Sequence, residues 1–80
     1  MDIKVLGTGC AKCAATLALI DEVAREMNIP IALQMEKDFN ALIGYGVMST
    51  PGIVVNGRLV HAGSVPSRGR VEGWLEHATA

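Results

Sequence analysis

Near its N-terminus the chain reads Ile3-Lys4-Val5-Leu6-Gly7-Thr8-Gly9-Cys10-Ala11-Lys12-Cys13, and this segment is the most informative about the fold. Its apolar positions before Gly7 predict a first strand, and the two glycines that follow predict a turn. Beyond the turn the pattern becomes helical, so a Cys-x-x-Cys pair stands where a strand gives way to a helix. We therefore expect Cys10 at the helix N-terminus, where backbone N–H groups have no partner within the helix.

The predicted helix runs from Ala11 to Met27. Its apolar residues are spaced 4, 3, 4 and 3 positions apart and form one stripe, which Leu19 and Val23 widen: Cys13, Leu17, Ile20, Ala24 and Met27. Asn28 and Pro30 end the helix. The stripe predicts that Cys13 faces the core while Cys10 stays accessible.

Five further elements follow in the remaining sequence. Ile31, Leu33 and Met35 alternate with less apolar residues, as in a strand, and Asp38 can cap a short helix from Phe39 to about Tyr45. Asn56-Gly57 separates two apolar runs and predicts a hairpin. The last helix is predicted after its cap, Ser67, on the positions that form its apolar face: Val71, Trp74, Leu75 and Ala78.

The predicted order is β-α-β-α-β-β-α, which places the chain in the α/β class. The first β-α-β unit implies a parallel pair, and the hairpin adds an antiparallel pair. We expect a mixed four-stranded sheet flanked by three helices. With 80 residues, the chain has room for one domain, residues 1–80.

Composition narrows the range of functions. Half of the residues are hydrophobic and 19% are charged, so a folded domain is expected. A net charge of −1 argues against nucleic acid and against an anionic membrane surface as partners. The longest uncharged stretch, residues 39–57, is broken by Gly44, Gly46 and Pro51 and does not predict a membrane span. Because no signal peptide is recognisable, we expect the cytoplasm, where Cys-x-x-Cys indicates redox or metal chemistry.

The cysteine pair carries the predicted chemistry. A helix N-terminus stabilises negative charge, so the pKa of Cys10 is expected to lie below that of a free cysteine. Lys12 either tunes that pKa further or only keeps the helix soluble. Cys13 is near enough to form a disulfide with Cys10 and is shielded from outside partners. This asymmetry suits a two-step exchange, in which Cys10 attacks a disulfide and Cys13 resolves the mixed disulfide.

Three segments of the chain resemble the thioredoxin-fold family, specifically its small redox-active disulfide proteins: Gly7-Thr8-Gly9-Cys10-Ala11-Lys12-Cys13, Gly46-Val47-Met48-Ser49-Thr50-Pro51-Gly52 and Val65-Pro66-Ser67. The resemblance implies Cys10 as nucleophile and Cys13 as resolving thiol. It also implies a cis Thr50–Pro51 bond beside the cysteines, with the Thr50 backbone free to pair with an extended substrate. The chain departs from larger thioredoxins at Gly9, where they have Trp, and at Ala11-Lys12, where they have Gly-Pro. It also shows no evident counterpart of their buried Asp.

Three functions are compatible with this pattern. The first is a monomeric thiol–disulfide oxidoreductase without a cofactor, which exchanges with a protein disulfide or dithiol and is served by a reductase. The second is a soft-metal module or carrier that binds an ion such as Cu(I) through both thiolates, although two thiolates fill only half of a zinc site. The third is a non-catalytic adaptor. Met48 is expected to be a hydrophobic contact near the rim of the Cys10 site.

Overall fold

A computed structural model describes residues 1–79 of the chain and the side chains of residues 1–77. Within this part, four strands and three helices follow one another in the predicted order: β1 (Asp2–Leu6), α1 (Ala11–Glu26), β2 (Ala32–Glu36), α2 (Phe39–Gly44), β3 (Gly52–Val55), β4 (Arg58–Ala62) and α3 (Arg68–Thr79). The α/β class and the order of elements are therefore confirmed. The ends of single elements differ from the prediction by one or two residues.

The strands form one mixed sheet in the order β2-β1-β3-β4. β1 and β2 are parallel, with Ile3 opposite Leu33, whereas β1 with β3 and β3 with β4 are antiparallel. Because β1 and β2 are parallel neighbours, the loops that follow them leave the sheet at the same edge. The start of β3 lies at this edge as well, since Gly52 is opposite Leu6.

The hairpin between β3 and β4 turns at Asn56 and Gly57, as predicted. Both residues have positive φ, 51° and 83°, as the primed turns of hairpins require. The Asn56 side-chain carbonyl also accepts a hydrogen bond from the Asp2 backbone amide at 2.9 Å, and the Asn56 backbone amide donates to the Asp2 carbonyl. The turn is thereby tied to the beginning of β1.

Helices cover both faces of the sheet. α1 and α3 pack on the face that carries Ile3, Val5 and Ile53, and this layer contains most of the buried side chains. The short helix α2 covers the other face, where Leu42 meets Leu6 and Val54. The alternation of side chains along β1 thus supplies both cores.

The buried face of α1 is rotated slightly from the predicted stripe. Leu17 and Met27 are only half-buried, whereas Thr16 is completely buried. A threonine is tolerated there because its hydroxyl donates to the Lys12 carbonyl at 2.8 Å. The predicted caps of the other helices are present, since Asp38 accepts from the Asn40 amide and Ser67 from the Arg70 amide. The packing predicted for Ala78 falls outside the described side chains.

Candidate active site

Cys10 is the residue at which α1 begins. Its backbone is extended, with φ −69° and ψ 171°, and its carbonyl accepts the first helical hydrogen bond, from the Ala14 amide at 3.0 Å. The side chain is exposed and makes no capping bond to the helix backbone. The thiol therefore stands in solvent beside the free N–H groups of the first turn.

Cys13 lies one helical turn further on and is completely buried. Both residues are free cysteines, and their Sγ atoms are 3.1 Å apart, in hydrogen-bonding contact. A disulfide needs only a further approach of about 1 Å between the sulfurs. The geometry thus has one thiol open to a partner and a second directly behind it.

The surroundings lower the pKa of the Cys10 thiol. The largest cause is the hydrogen bond with the Cys13 thiol, followed by the influence of the Cys13 backbone amide. The Lys12 and Cys10 amides act in the same direction, while partial desolvation of the thiol opposes them. Lys12 thus acts on this thiol through its backbone. The influence predicted for its ammonium group remains a prediction, and that side chain is exposed.

Gly7 also belongs to the site. The sequence placed it in the turn after the first strand and in a segment that resembles the thioredoxin fold, but indicated no contact between Gly7 and the cysteines. A Cβ at this position would lie 2.3 Å from the Cys13 Sγ and 3.6 Å from the Thr50 Cβ. The Cys13 thiol and the Thr50 loop therefore both approach the bare backbone of Gly7. The Gly7 amide in turn donates to the Glu36 carbonyl at 3.0 Å, which connects the loops after β1 and β2.

The Thr50–Pro51 peptide bond is cis, and Pro51 is buried. The Pro51 carbonyl accepts a hydrogen bond from the Gly63 amide at 2.9 Å, which attaches this loop to the end of β4. Within residues 1–79, the Thr50 amide and carbonyl make no backbone hydrogen bond. Both groups are therefore available to an extended chain placed alongside.

An apolar surface adjoins the Thr50 loop. Phe39, Ile43 and Met48 are 72%, 60% and 98% exposed, and a hollow of about 690 Å³ between α2 and this loop is also lined by Thr8 and Thr50. Sequence reasoning named only Met48 near the site. The i, i+4 spacing of Phe39 and Ile43 on the short helix could have revealed the other two, because such residues share a helix face.

The donor set at the cysteines consists of the two thiols. Among the described residues, no group of three or more His, Cys, Asp and Glu side chains is placed to hold a metal ion. None of the helices in this part of the chain combines the length and apolarity needed to cross a bilayer.

Comparison with known proteins agrees with this geometry. The sequence profile of a thioredoxin domain family matches residues 1–76. A thioredoxin of Methanothermobacter thermautotrophicus is 29% identical over 72 residues, which cover 90% of this chain and 94% of the relative. A thioredoxin of Methanocaldococcus jannaschii is 31% identical over 65 residues, or 81% of this chain and 74% of the relative. With its paired cysteines at the start of α1, the chain belongs to the thioredoxin domain family and has the general features of a thiol–disulfide oxidoreductase.

Proposed function

We propose that the protein exchanges disulfides with a protein partner by cycling Cys10 and Cys13 between dithiol and disulfide. One observation carries the proposal: an exposed thiol of lowered pKa is held 3.1 Å from a buried second thiol. Exchange needs one thiolate that is accessible to a partner disulfide. It also needs a second thiol that is shielded from the partner but close enough to attack the mixed disulfide formed at the first. This pair of environments meets both requirements.

The reaction would proceed in two displacements. The Cys10 thiolate attacks one sulfur of the partner disulfide, the partner S–S bond breaks, and the leaving thiolate takes a proton from water. The Cys13 thiol then loses its proton to water, and its thiolate attacks the Cys10 sulfur, so that the mixed disulfide bond breaks. The second partner sulfur leaves as a thiolate and takes up a proton from water. The partner gains two electrons and two protons, and the protein is left with a Cys10–Cys13 disulfide.

A protein is favoured as partner over a small molecule by the surroundings of Cys10. The free amide and carbonyl of Thr50 can pair with an extended chain as an added strand. The apolar surface of Phe39, Ile43 and Met48 lies beside that loop, and exposed apolar patches mark protein contact sites. In this proposal Cys10 and Cys13 are catalytic, Thr50 and Pro51 bind substrate, and Lys12 tunes the thiol.

The cycle requires a second partner that reduces the disulfide again. We assign this role to a reductase, and propose that the chain works as a single-domain monomer in the cytoplasm. The two archaeal relatives carry the name thioredoxin, which supports the same class of chemistry. No cofactor is required, since the two thiols carry both electrons.

Trapping the mixed disulfide tests the proposal. The Cys13→Ser variant, incubated with a protein disulfide such as insulin, should accumulate an adduct at Cys10, because the resolving thiol is gone. Mass spectrometry of peptides identifies the linked residue, and Cys10→Ser is the matched control that should form no adduct. The proposal fails if Cys13→Ser forms no adduct while its Cys10 thiol still reacts with an alkylating agent.

Metal analysis distinguishes the proposed oxidoreductase from the alternative, a soft-metal carrier. Protein purified under reducing conditions should contain no stoichiometric metal and should form the Cys10–Cys13 disulfide reversibly. One bound soft ion for each protein molecule, lost in Cys10→Ser, would favour the carrier instead.

A further inference from the structure

Lys37 lies in the loop between β2 and α2, and its side chain reaches the turn before Cys10. Gly9 in that turn has φ +83°, and a Cβ there would be 3.3 Å from both the Cε and the Nζ of Lys37. The ammonium group is therefore at most about 9 Å from the Cys10 Cα, because consecutive Cα atoms are 3.80 Å apart. The parallel pairing of β1 and β2 brings these two loops together.

The backbone around Lys37 is held in place by its neighbours. The Glu36 carbonyl accepts from the Gly7 amide, and a Glu36 carboxylate oxygen accepts from the Asp38 amide, both at 3.0 Å. Asp38 in turn accepts from the Asn40 amide at 2.9 Å. Both flanking carboxylates thus bind backbone amides. Lys37 forms no ion pair within the described residues, where the ion pairs are those of Arg25 and Arg68.

Space for a partner is open on the same side. Lys37 and Gly9 stand at one end of a groove of about 620 Å³ between α1 and β2, whose apolar lining includes Leu17, Leu33 and Met35. Asp21, the acidic residue of this groove, is already paired with Arg25 at 3.2 Å. An unpaired cation therefore stands between the Cys10 turn and an open groove.

We propose that Lys37 is a specificity-determining residue, which selects partner segments that carry a carboxylate beside their reactive cysteine. The proposal rests on the proposed thiol–disulfide exchange and narrows its substrate class to acidic segments. Lys37 takes no part in the bond changes. Its ammonium group attracts the partner's Asp or Glu during the encounter, and a charge at the rim of an interface acts on the association rate and its salt dependence.

The test uses three synthetic peptides that differ only in the residue next to a single cysteine, which is Glu, Gln or Lys. Each cysteine is activated as a mixed disulfide with 2-thiopyridine. Attack by the Cys10 thiolate forms a Cys10–peptide disulfide and releases 2-thiopyridone, whose absorbance gives the second-order rate constant. Reduced wild-type protein, Lys37→Gln and Lys37→Arg are compared. Arg58→Gln is the matched control, because Arg58 follows the hairpin turn at the opposite end of the sheet.

We expect wild type to react with the Glu peptide about fivefold faster than with the Gln peptide at low ionic strength, and slowest with the Lys peptide. The preference should disappear near about 1 M salt, where charges are screened within a few ångströms. Lys37→Gln should abolish it, whereas Lys37→Arg and Arg58→Gln should keep it.

Equal rates for the three peptides, or a preference that survives in Lys37→Gln, would overturn this inference and leave the proposed exchange intact. A wild-type preference that does not weaken with salt would overturn it as well, independently of any variant. If wild-type protein releases 2-thiopyridone from none of the peptides, the proposed function itself fails, and the inference fails with it.

Discussion

At the scale of single residues, the site depends on two cysteines with opposite environments. They are separated by only two residues, yet Cys10 is exposed at the start of α1 and Cys13 is completely buried. The difference arises because the helix turns the side chain of Cys13 toward the sheet, whereas Cys10 precedes the first helical residue. Position on the helix thus decides which thiol is exposed to solvent and which one is buried behind it.

The hydrogen bond between the two thiols is expected to control the reactivity of Cys10. Because the Cys13 thiol is the largest cause of the lowered pKa, Cys13→Ala should raise the pKa of Cys10 toward its ordinary value. The thiolate fraction at neutral pH then falls, and the pH profile of alkylation by iodoacetamide shifts to higher pH. Stopped-flow or mass-spectrometric rates between about pH 5 and 10 measure the shift.

Lys12→Gln serves as the comparison for this measurement. It removes the ammonium group of Lys12 but keeps the backbone amide that helps to lower the pKa of the Cys10 thiol. Its profile should lie nearer to wild type than that of Cys13→Ala. If the order is reversed, the side-chain charge rather than the Cys13 hydrogen bond controls the thiol.

Gly7→Ala should disturb the site by a purely steric effect. The new Cβ would meet the buried Cys13 Sγ at 2.3 Å, so the sulfur or the loop has to move. Overpacking of this kind costs about 1–3 kcal/mol, and we expect a corresponding loss in the free energy of unfolding of the reduced protein. Urea denaturation measures the loss. Gly44→Ala is the control and should not lose stability, because a Cβ there has no neighbour within 4 Å.

At the scale of elements, sequence patterns predicted what depends on local chemistry. Asn56-Gly57 specified the hairpin turn, and Asp38 specified the start of α2, because each acts on its own backbone. Patterns did not reveal the irregular register between Ile53 and Val54, which depends on how two strands twist together.

Sequence patterns did not indicate the positions of Gly7 and Lys37 beside the cysteines, because both depend on contacts between different elements. Gly7 is required by a sulfur on α1, and Lys37, which follows β2, reaches the turn that follows the neighbouring strand β1. Neither contact leaves a periodic signal in the sequence. The position of Lys37 near the Cys10 turn could nevertheless have been predicted, because a parallel pair places the residues after both strands at one edge of the sheet.

The last helix shows how packing compensates for weak helix propensity. α3 contains Gly69 and Gly73, each of which disfavours a helix by about 1 kcal/mol relative to alanine. Val71 and Leu75 bury completely against α1 and the sheet. Arg68 adds ion pairs to Glu22 and Glu26 of α1 and to Glu72 of its own helix. Since these groups are 43–63% exposed, the apolar contacts are the stronger attachment.

At the level of the whole molecule, the groups to which we assign roles in exchange lie at one edge of the sheet. The loops after β1 and β2 and the loop before β3 bring Cys10, Lys37 and Thr50 to that edge, while the hairpin turn lies at the other. The two cores lie between these edges and contain the large buried side chains. We therefore expect folding to depend on the cores and not on a disulfide between Cys10 and Cys13.

Because folding is expected to depend on the cores and not on the disulfide, we predict that the oxidised and reduced proteins differ little in stability. Closing a loop as short as the one between Cys10 and Cys13 stabilises the oxidised form by at most about 2 kcal/mol through chain entropy. The lowered pKa of Cys10 stabilises the reduced form at neutral pH and opposes that gain. We expect unfolding free energies within about 2 kcal/mol of each other, or urea midpoints within about 2 M for a slope of about 1 kcal/mol/M. A larger difference would mean that the disulfide is a structural staple, and Cys10→Ala, which cannot form it, should show no response to oxidant.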